Sequence, residues 1–293
     1  MRTVKITSLS FNNRPEDEII ELVENEAQKK CDIILLPETW TGNDYNEPAD
    51  SGATARLRDT AKKHGVYILN SVFRKTADTP RFNSGILIGR DGEIAGIYDK
   101  VYPYWGEFDL SPPTSPGTDA PVFNTDFGKV GVAICFDANF PRLWERLAEN
   151  GADIVFWASA YSAGSSLQAH AINHNYYIVT STLCSDCAAI DITGREIYYQ
   201  TSGGVNISQV ELNMNRAIFH ENFNMHKLER LLRENSEITV EMRLEREQWF
   251  VLRSSSPEVS VRELAARYDM EELGAYKRRS RHEIDEKRGK KLN

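Results

Sequence analysis

Residues 129–160 read KVGVAICFDANFPRLWERLAENGADIVFWASA, and the pattern of this stretch decides the fold. Val130, Val132 and Ile134 alternate with Gly131, Ala133 and Cys135, so a strand here keeps one of its faces small. PRLWERLAENG carries Pro141 near its start and Gly151 past its end, which is how a short helix is punctuated. ADIVFWASA is a second strand. At the junction of the first strand and the helix stands a single cysteine, Cys135, followed by an aromatic residue and an acid. It is either a nucleophile at a strand end or a buried core thiol, since free cysteine is among the most buried residue types.

The same alternation extends in both directions. Upstream, TVKITSLSF reads as a strand, and RPEDEIIELVENEAQKK as a helix with Ile19, Ile20 and Val23 on one face. CDIILLPE is a continuous apolar run stopped by Pro37, as in a strand buried on both faces. SGATARLRDTAKKHG is a helix ending at Gly65, and VYILNSVF another strand. SGILIGRDGEIAGIYDK is a hairpin turning at Asp91-Gly92. Downstream, SSLQAHAINHN is helical, YYIVTSTL and CAAIDI are strands, and Thr193-Gly194-Arg195 is a turn. Strands alternating with helices, hairpins included, imply a mixed sheet layered with helices, an α/β fold.

Composition narrows the function classes. The 293 residues are 41% hydrophobic and 27% charged, enough to bury a core without disulfides or metal. A net charge of -8 argues against a general nucleic-acid binder and against a membrane surface. No apolar run reaches the ~18 residues of a membrane span, and the N-terminus lacks the pattern of a signal peptide. Four cysteines are too few for a disulfide scaffold, so a reducing cytoplasm is the expected compartment. Cys184 and Cys187 form a CxxC with no second pair, so four zinc ligands cannot be assembled around it.

From about residue 213 the character changes. HKLERLLRENSEITVEMRLEREQWF is charged and reads as helix, with EITVEM able to extend as a strand. YKRRSRHEIDEKRGKKLN is too polar to form a core element. The expected division is a domain over 1–212 and an extension over 213–293 that wraps a neighbour or stays mobile.

Three reactive side chains stand where strands stop: Glu38, Lys100 and Cys135. In layered α/β folds ligands sit beyond strand ends, so residues far apart in sequence converge there. Taken singly, each has an ordinary reading: a solvated or helix-capping acid, an exposed edge lysine, a core cysteine. Together with their flanks, LLPETW, GRDGEIAGIYDK, TSPGTDAPVFNTDFGKVGVAICFD and RLAENGADIVFWASA resemble, in this order, the signature of the nitrilase superfamily of carbon–nitrogen hydrolases. The resemblance spans roughly residues 3–212.

That resemblance implies a four-layer αββα sandwich and a Glu38–Lys100–Cys135 triad. Cys135 would attack an amide or carbamoyl carbon, Glu38 would move protons, and Lys100 would sit beside the oxyanion, with no metal or organic cofactor. Glu107 resembles the family's additional glutamate, or is a loop acid. Phe136, Asp137, Asn139, Ala160 and Tyr161 are expected around the oxyanion and substrate, Asp137 either facing an amine-bearing substrate or serving as a backbone-bonded turn residue. Asn173-His174 replaces the Glu-Asn pair that relatives carry on the corresponding helix. The family also implies a small-molecule substrate and a homodimer or larger even-numbered assembly. Two rival readings use the same residues differently: a Cys–His hydrolase built on His170 or His174, and a non-catalytic binding member of the fold.

Overall fold

A computed structural model describes residues 3–290. Residues 4–212 and 213–290 fall into two compact units. The first unit opens with β1 (Thr3–Ser10), α1 (Glu16–Ala27), β2 (Ile33–Leu35), α2 (Gly52–His64), β3 (Tyr67–Arg74), β4 (Phe82–Ile88) and β5 (Ile94–Asp99). It continues with β6 (Val122–Thr125), β7 (Gly128–Ile134), α3 (Pro141–Glu149), β8 (Ile154–Ser159) and α4 (Ser165–His174). Strands β9 (Tyr177–Thr182), β10 (Asp186–Ile190), β11 (Glu196–Thr201) and β12 (Asn206–Asn213) complete it.

These strands make two six-stranded sheets, ordered β12-β1-β2-β3-β4-β5 and β11-β10-β9-β8-β7-β6. In each, the inner strands run parallel (β1-β2-β3 and β7-β8-β9) and hairpin strands add antiparallel toward the edges. The sheets meet face to face. Ser8 Oγ donates to the Thr180 carbonyl at 2.8 Å, and Ser181 Oγ donates to that of Leu9 at 2.7 Å. Gly85 of β4 lies so close to Val132 of β7 that a Cβ there would stand 2.8 Å from a Val132 methyl carbon. Glycine is what allows that approach.

Helices cover the outer faces. Ile19 and Val23 of α1 and Ala53, Leu57 and Ala61 of α2 bury against Ile34, Ile68 and Ile86 of the first sheet. On the second sheet, the small face of β7 turns out to receive a helix: a Cβ on Gly131 would lie 3.1 Å from Leu147 of α3. This is the expected αββα sandwich.

The second unit contains β13 (Arg216–His220), α5 (Met225–Glu234), β14 (Ile238–Leu244), β15 (Trp249–Ser254), α6 (Val261–Arg267) and α7 (Leu273–Arg288). The three strands form one sheet, and Phe219, Phe250, Leu228, Leu231 and Val261 bury together. Residues 213–293 were expected as an extension; within it residues 217–270 carry a core of their own. The reason lies in spacing: Ile238, Val240, Met242 and Leu244 alternate with polar residues, so the stretch EITVEM forms a strand with one apolar face. Helix α7, by contrast, buries only Leu273, as its polarity demands. The last residues of the tail, 291–293, lie outside the described residues.

Candidate active site

The sharp exit from β7 creates the site. Ile134 is still extended, but Cys135 turns into the left-handed region at φ 48° and opens a single 3-10 turn, Cys135–Asn139. A non-glycine residue there is strained, so the surroundings must hold it. Three side chains do so by donating to carbonyls of the turn. Trp157 Nε1 reaches the Cys135 oxygen at 3.1 Å, Trp144 Nε1 that of Asp137 at 2.9 Å, and His170 Nε2 that of Ala138 at 2.9 Å. A neutral hydrogen bond of this kind contributes ~1 kcal/mol, so three of them offset strain of a few kcal/mol. Thr39, directly after Glu38, shows the same strain at φ 42°.

Asp137 fixes the turn from inside. It is fully buried, and its Oδ2 accepts from the Tyr98 hydroxyl at 2.6 Å and the Ile134 N–H at 2.8 Å, while Oδ1 accepts from the Tyr102 N–H at 3.0 Å. Tyr98 and Tyr102 flank Lys100, so this carboxyl ties the end of β5 to the cysteine turn. The expectation of a substrate-facing Asp137 gives way here to the turn-residue reading: every oxygen is engaged and none reaches solvent. Burial pushes the carboxyl up to about 7, against those three donors and the nearby Lys100 charge. Its folded value therefore lies above the ordinary unfolded value near ~4. The folded state holds the extra proton between those limits, so this group's contribution to stability falls as pH rises from about 4 to about 7. Asp137→Asn should flatten that part of a Tm-against-pH curve; an unchanged slope would remove the assignment.

The three strand-end residues converge with a fourth. Lys100 is 1% exposed, and its Nζ donates to Glu38 Oε1 at 2.7 Å and to Glu107 Oε1 at 2.5 Å. Burial alone would push the ammonium down, but Glu38, Cys135 and Glu107 outweigh it and the lysine is raised above its usual value. It stays charged. Glu107 comes from a second 3-10 turn, Trp105–Asp109, whose Tyr104 N–H donates to Glu107 Oε1 at 2.9 Å. The loop-acid alternative is thus set aside: Glu107 points inward onto the lysine.

Cys135 is 9% exposed and lies within reach of the Glu38 charge. Burial, then the Glu38 charge, pushes its thiol up to about 12, while Lys100 and the Ala160 backbone pull the other way. Ala160 N–H donates to Glu38 Oε2 at 2.8 Å, so the amide expected near the oxyanion holds the carboxylate instead. Tyr161 directs its hydroxyl toward the Cys135 carbonyl at 3.5 Å, and Asn139 donates to the Phe136 carbonyl at 3.2 Å. The Phe136 N–H stands at the start of the turn, where helical N–H groups lack an intrahelical acceptor.

One participant was not legible in the sequence. Asn83 on β4, 1% exposed, donates from Nδ2 to Glu38 Oε1 at 2.8 Å and to Glu107 Oε2 at 3.0 Å. Two acids and a lysine therefore share one asparagine. A lone Asn opening a strand carries no signal of its own; its place before GILIG, one strand ahead of Lys100, was the only hint.

The histidines of α4 are placed differently from a Cys–His pair. His170 donates to Ala138 and lies flat on Trp144, with ring centroids 4.4 Å apart, and burial lowers its pKa. His174 stacks on Tyr176 at 5.6 Å. Cys184 is exposed and Cys187 buried, on either side of Asp186 at the start of β10.

Comparison with known proteins decides the family. The carbon-nitrogen hydrolase family model matches residues 17–218. The chain belongs to the carbon–nitrogen hydrolase family. A beta-ureidopropionase of Arabidopsis thaliana is 31% identical over 159 residues, covering 49% of this chain and 39% of that protein. An omega-amidase of Xenopus tropicalis is 25% identical over 186 residues, covering 57% of this chain and 67% of the relative. The match thus spans well under half of the first and about two thirds of the second. Among solved structures, a carbon–nitrogen hydrolase of Helicobacter pylori aligns with a TM-score of 0.64 at 19% identity, covering 80% of this chain and 95% of the other. Nit3 of Saccharomyces cerevisiae, a nitrilase-superfamily member, gives 0.63 at 19% identity, covering 72% and 90%. These likenesses concern the fold.

Proposed function

We propose that this carbon–nitrogen hydrolase cleaves a small linear amide or N-carbamoyl compound through a Cys135 thioester. The observation that carries the reading is the contact of Lys100 with both Glu38 and Glu107, with the charges of Glu38 and Lys100 both acting on the Cys135 thiol. With its pKa near 12 the thiol is protonated at neutral pH, so attack requires a base in contact with it. Glu38 takes the Sγ proton as sulfur bonds to the carbonyl carbon. Lys100 and the Phe136 N–H stabilise the oxyanion, a donor of this kind being worth about 3 kcal/mol in the transition state. Glu38 then passes its proton to the leaving nitrogen as the C–N bond breaks. Water next gives a proton to Glu38 and attacks the thioester, and Glu38 returns that proton to the departing sulfur. Glu107 and Asn83 hold the lysine and the base in place.

Names among the relatives, ureidopropionase and amidase, support a ureido or amide bond over a nitrile. The test is ammonia release from a panel of amides, carbamoyl amines, carbamoyl amino acids and nitriles, with wild type and Cys135→Ala side by side. Wild-type release that the variant lacks supports the reading; equal release by both proteins removes Cys135 from the reaction.

Burial and Glu38 together hold the thiol up, so alkylation by iodoacetamide should be slow at pH 7 and rise steeply toward pH 12. Glu38→Gln removes one of those two causes and should move that profile to lower pH. A wild-type profile with its midpoint near ~8.5, that of an ordinary thiol, would contradict this account.

A free catalytic thiol suits a reducing compartment such as the cytoplasm. The outer strand β11 exposes Ile197 and Tyr199, a sheet edge that an even-numbered homo-oligomer would cover. Light scattering should give at least twice the 33.3 kDa chain mass; a monomer at all concentrations would count against the assembly.

A further inference from the structure

Glu38 leaves β2 through a turn whose backbone runs against local preference. Thr39, a β-branched residue, holds the left-handed φ of 42°, and the Gly42 N–H closes the turn onto the Thr39 carbonyl at 2.8 Å. A branched side chain is a genuine outlier there and persists only where its surroundings over-determine it. The left-handed residue also turns the chain over. In an extended strand, residues two apart share a face. Here Glu38 reaches Lys100 and Asn83, while Trp40 reaches Asn70 and, through it, α2.

What holds this turn stands on β3. Behind Glu38, the Leu36 N–H donates to the Leu69 carbonyl at 3.1 Å. Ahead of it, Trp40 Nε1 donates to Asn70 Oδ1 at 2.7 Å, and Asn70 Nδ2 donates to Thr54 Oγ1 of α2 at 2.9 Å. Leu69 and Asn70 are neighbours, so one short piece of β3 grips the chain on both sides of Glu38. Asn70 and Thr54 are fully buried, and Phe11 meets the indole edge-on with ring centroids 6.3 Å apart. Asn70 shares its strand face with Ile68 and Val72, which belong to the apolar cluster that includes Trp40, Phe11 and Leu57. An amide in such a row is costly unless bonded, and apolar side chains of the same shape could replace all three polar groups with little loss of stability. What the hydrogen bonds add is direction: an indole held by its N–H is fixed in orientation, and the turn before it is fixed with it.

Resting on the hydrolase reading above, we propose that Trp40 and Asn70, backed by Thr54, are positioning residues for Glu38: their chain of indole, amide and hydroxyl holds the strained Thr39 turn so that the carboxylate stays aimed at Cys135. None of the three touches the reacting atoms, and their effect on the reaction passes through the backbone of residues 38–40.

The test is the triple variant Trp40→Phe/Asn70→Leu/Thr54→Val, which removes the three polar groups together and leaves none of them orphaned. Trp40→Phe alone takes its place should circular dichroism show the triple variant unfolded. In the folded variant kcat for the best amide should fall about 10- to 100-fold, the cost of a reacting group displaced by about an ångström, with KM changed by less than about threefold. A second readout needs no turnover. The Glu38 charge is one of the causes that hold the Cys135 thiol up, so a displaced Glu38 should move the pH profile of iodoacetamide alkylation to lower pH, the direction expected of Glu38→Gln. A role in packing alone would move neither kcat nor that profile. Full kcat in the folded variant, a loss confined to KM, or an alkylation profile that coincides with wild type overturns the positioning role and leaves the hydrolase reading standing. If every amide is refused by wild type, the profile alone decides: a shift to lower pH supports the role, and coincidence with wild type overturns it.

Discussion

Glu38→Gln is expected to lower kcat/KM for the best substrate by about 10³- to 10⁴-fold with the fold intact. The side chain is nearly isosteric, and its oxygen can still accept from Lys100, Asn83 or the Ala160 N–H. What disappears is the ability to hold a proton, which the reaction needs twice: on attack by Cys135 and on attack by water. One oxygen of Glu38 faces Lys100 and Asn83 and the other faces Ala160, while Glu107, the second carboxylate, is held by Lys100, Asn83 and the Tyr104 N–H. Measured kcat at saturating substrate is the right readout, because the loss belongs to the transition state rather than to binding. Loss of less than about tenfold would move the base elsewhere.

Lys100→Met should cost about 10³-fold in kcat and also destabilise the protein by about 3–5 kcal/mol. The methionine stem fits the space but leaves Glu38 and Glu107, both hydrogen-bonded to Asn83, with no cation between them. Breaking a buried pair by removing one partner leaves uncompensated charge, which is the costly case. The double variant Lys100→Met/Glu107→Gln should recover a large part of the stability and none of the activity. Denaturant unfolding and steady-state kinetics on the two single and the double variants separate these effects. Equal stability of Lys100→Met and wild type would mean that the lysine does not neutralise the pair.

Much of this site was legible in the sequence for a physical reason. Reactive residues at strand ends sit where side chains from separate strands meet, so Glu38 after Pro37, Lys100 after the Asp91-Gly92 hairpin and Cys135 after β7 carried their order and their neighbours with them. Glu107 needed its turn: only the capping contact with Tyr104 aims it at Lys100. Asn83, Trp157 and His170 act through hydrogen bonds whose partners lie 22 to 45 residues away, and residue type alone does not announce such pairs. Asp137 was ambiguous because a buried, turn-bonded acid and a ligand-facing acid look alike in one dimension. The core of residues 217–270 was masked by the polar and charged residues interleaved with Ile238, Val240 and Met242, whose apolar face joins those of Phe219 and Phe250 only when β13, β14 and β15 pair.

The most direct test of the central claim is mass spectrometry of the protein quenched during turnover of its best amide substrate. The account predicts a mass gain equal to the acyl group on the peptide bearing Cys135, labile to hydroxylamine and absent from Cys135→Ala together with turnover. Continued turnover by Cys135→Ala, or an acyl group on a different residue, would contradict it.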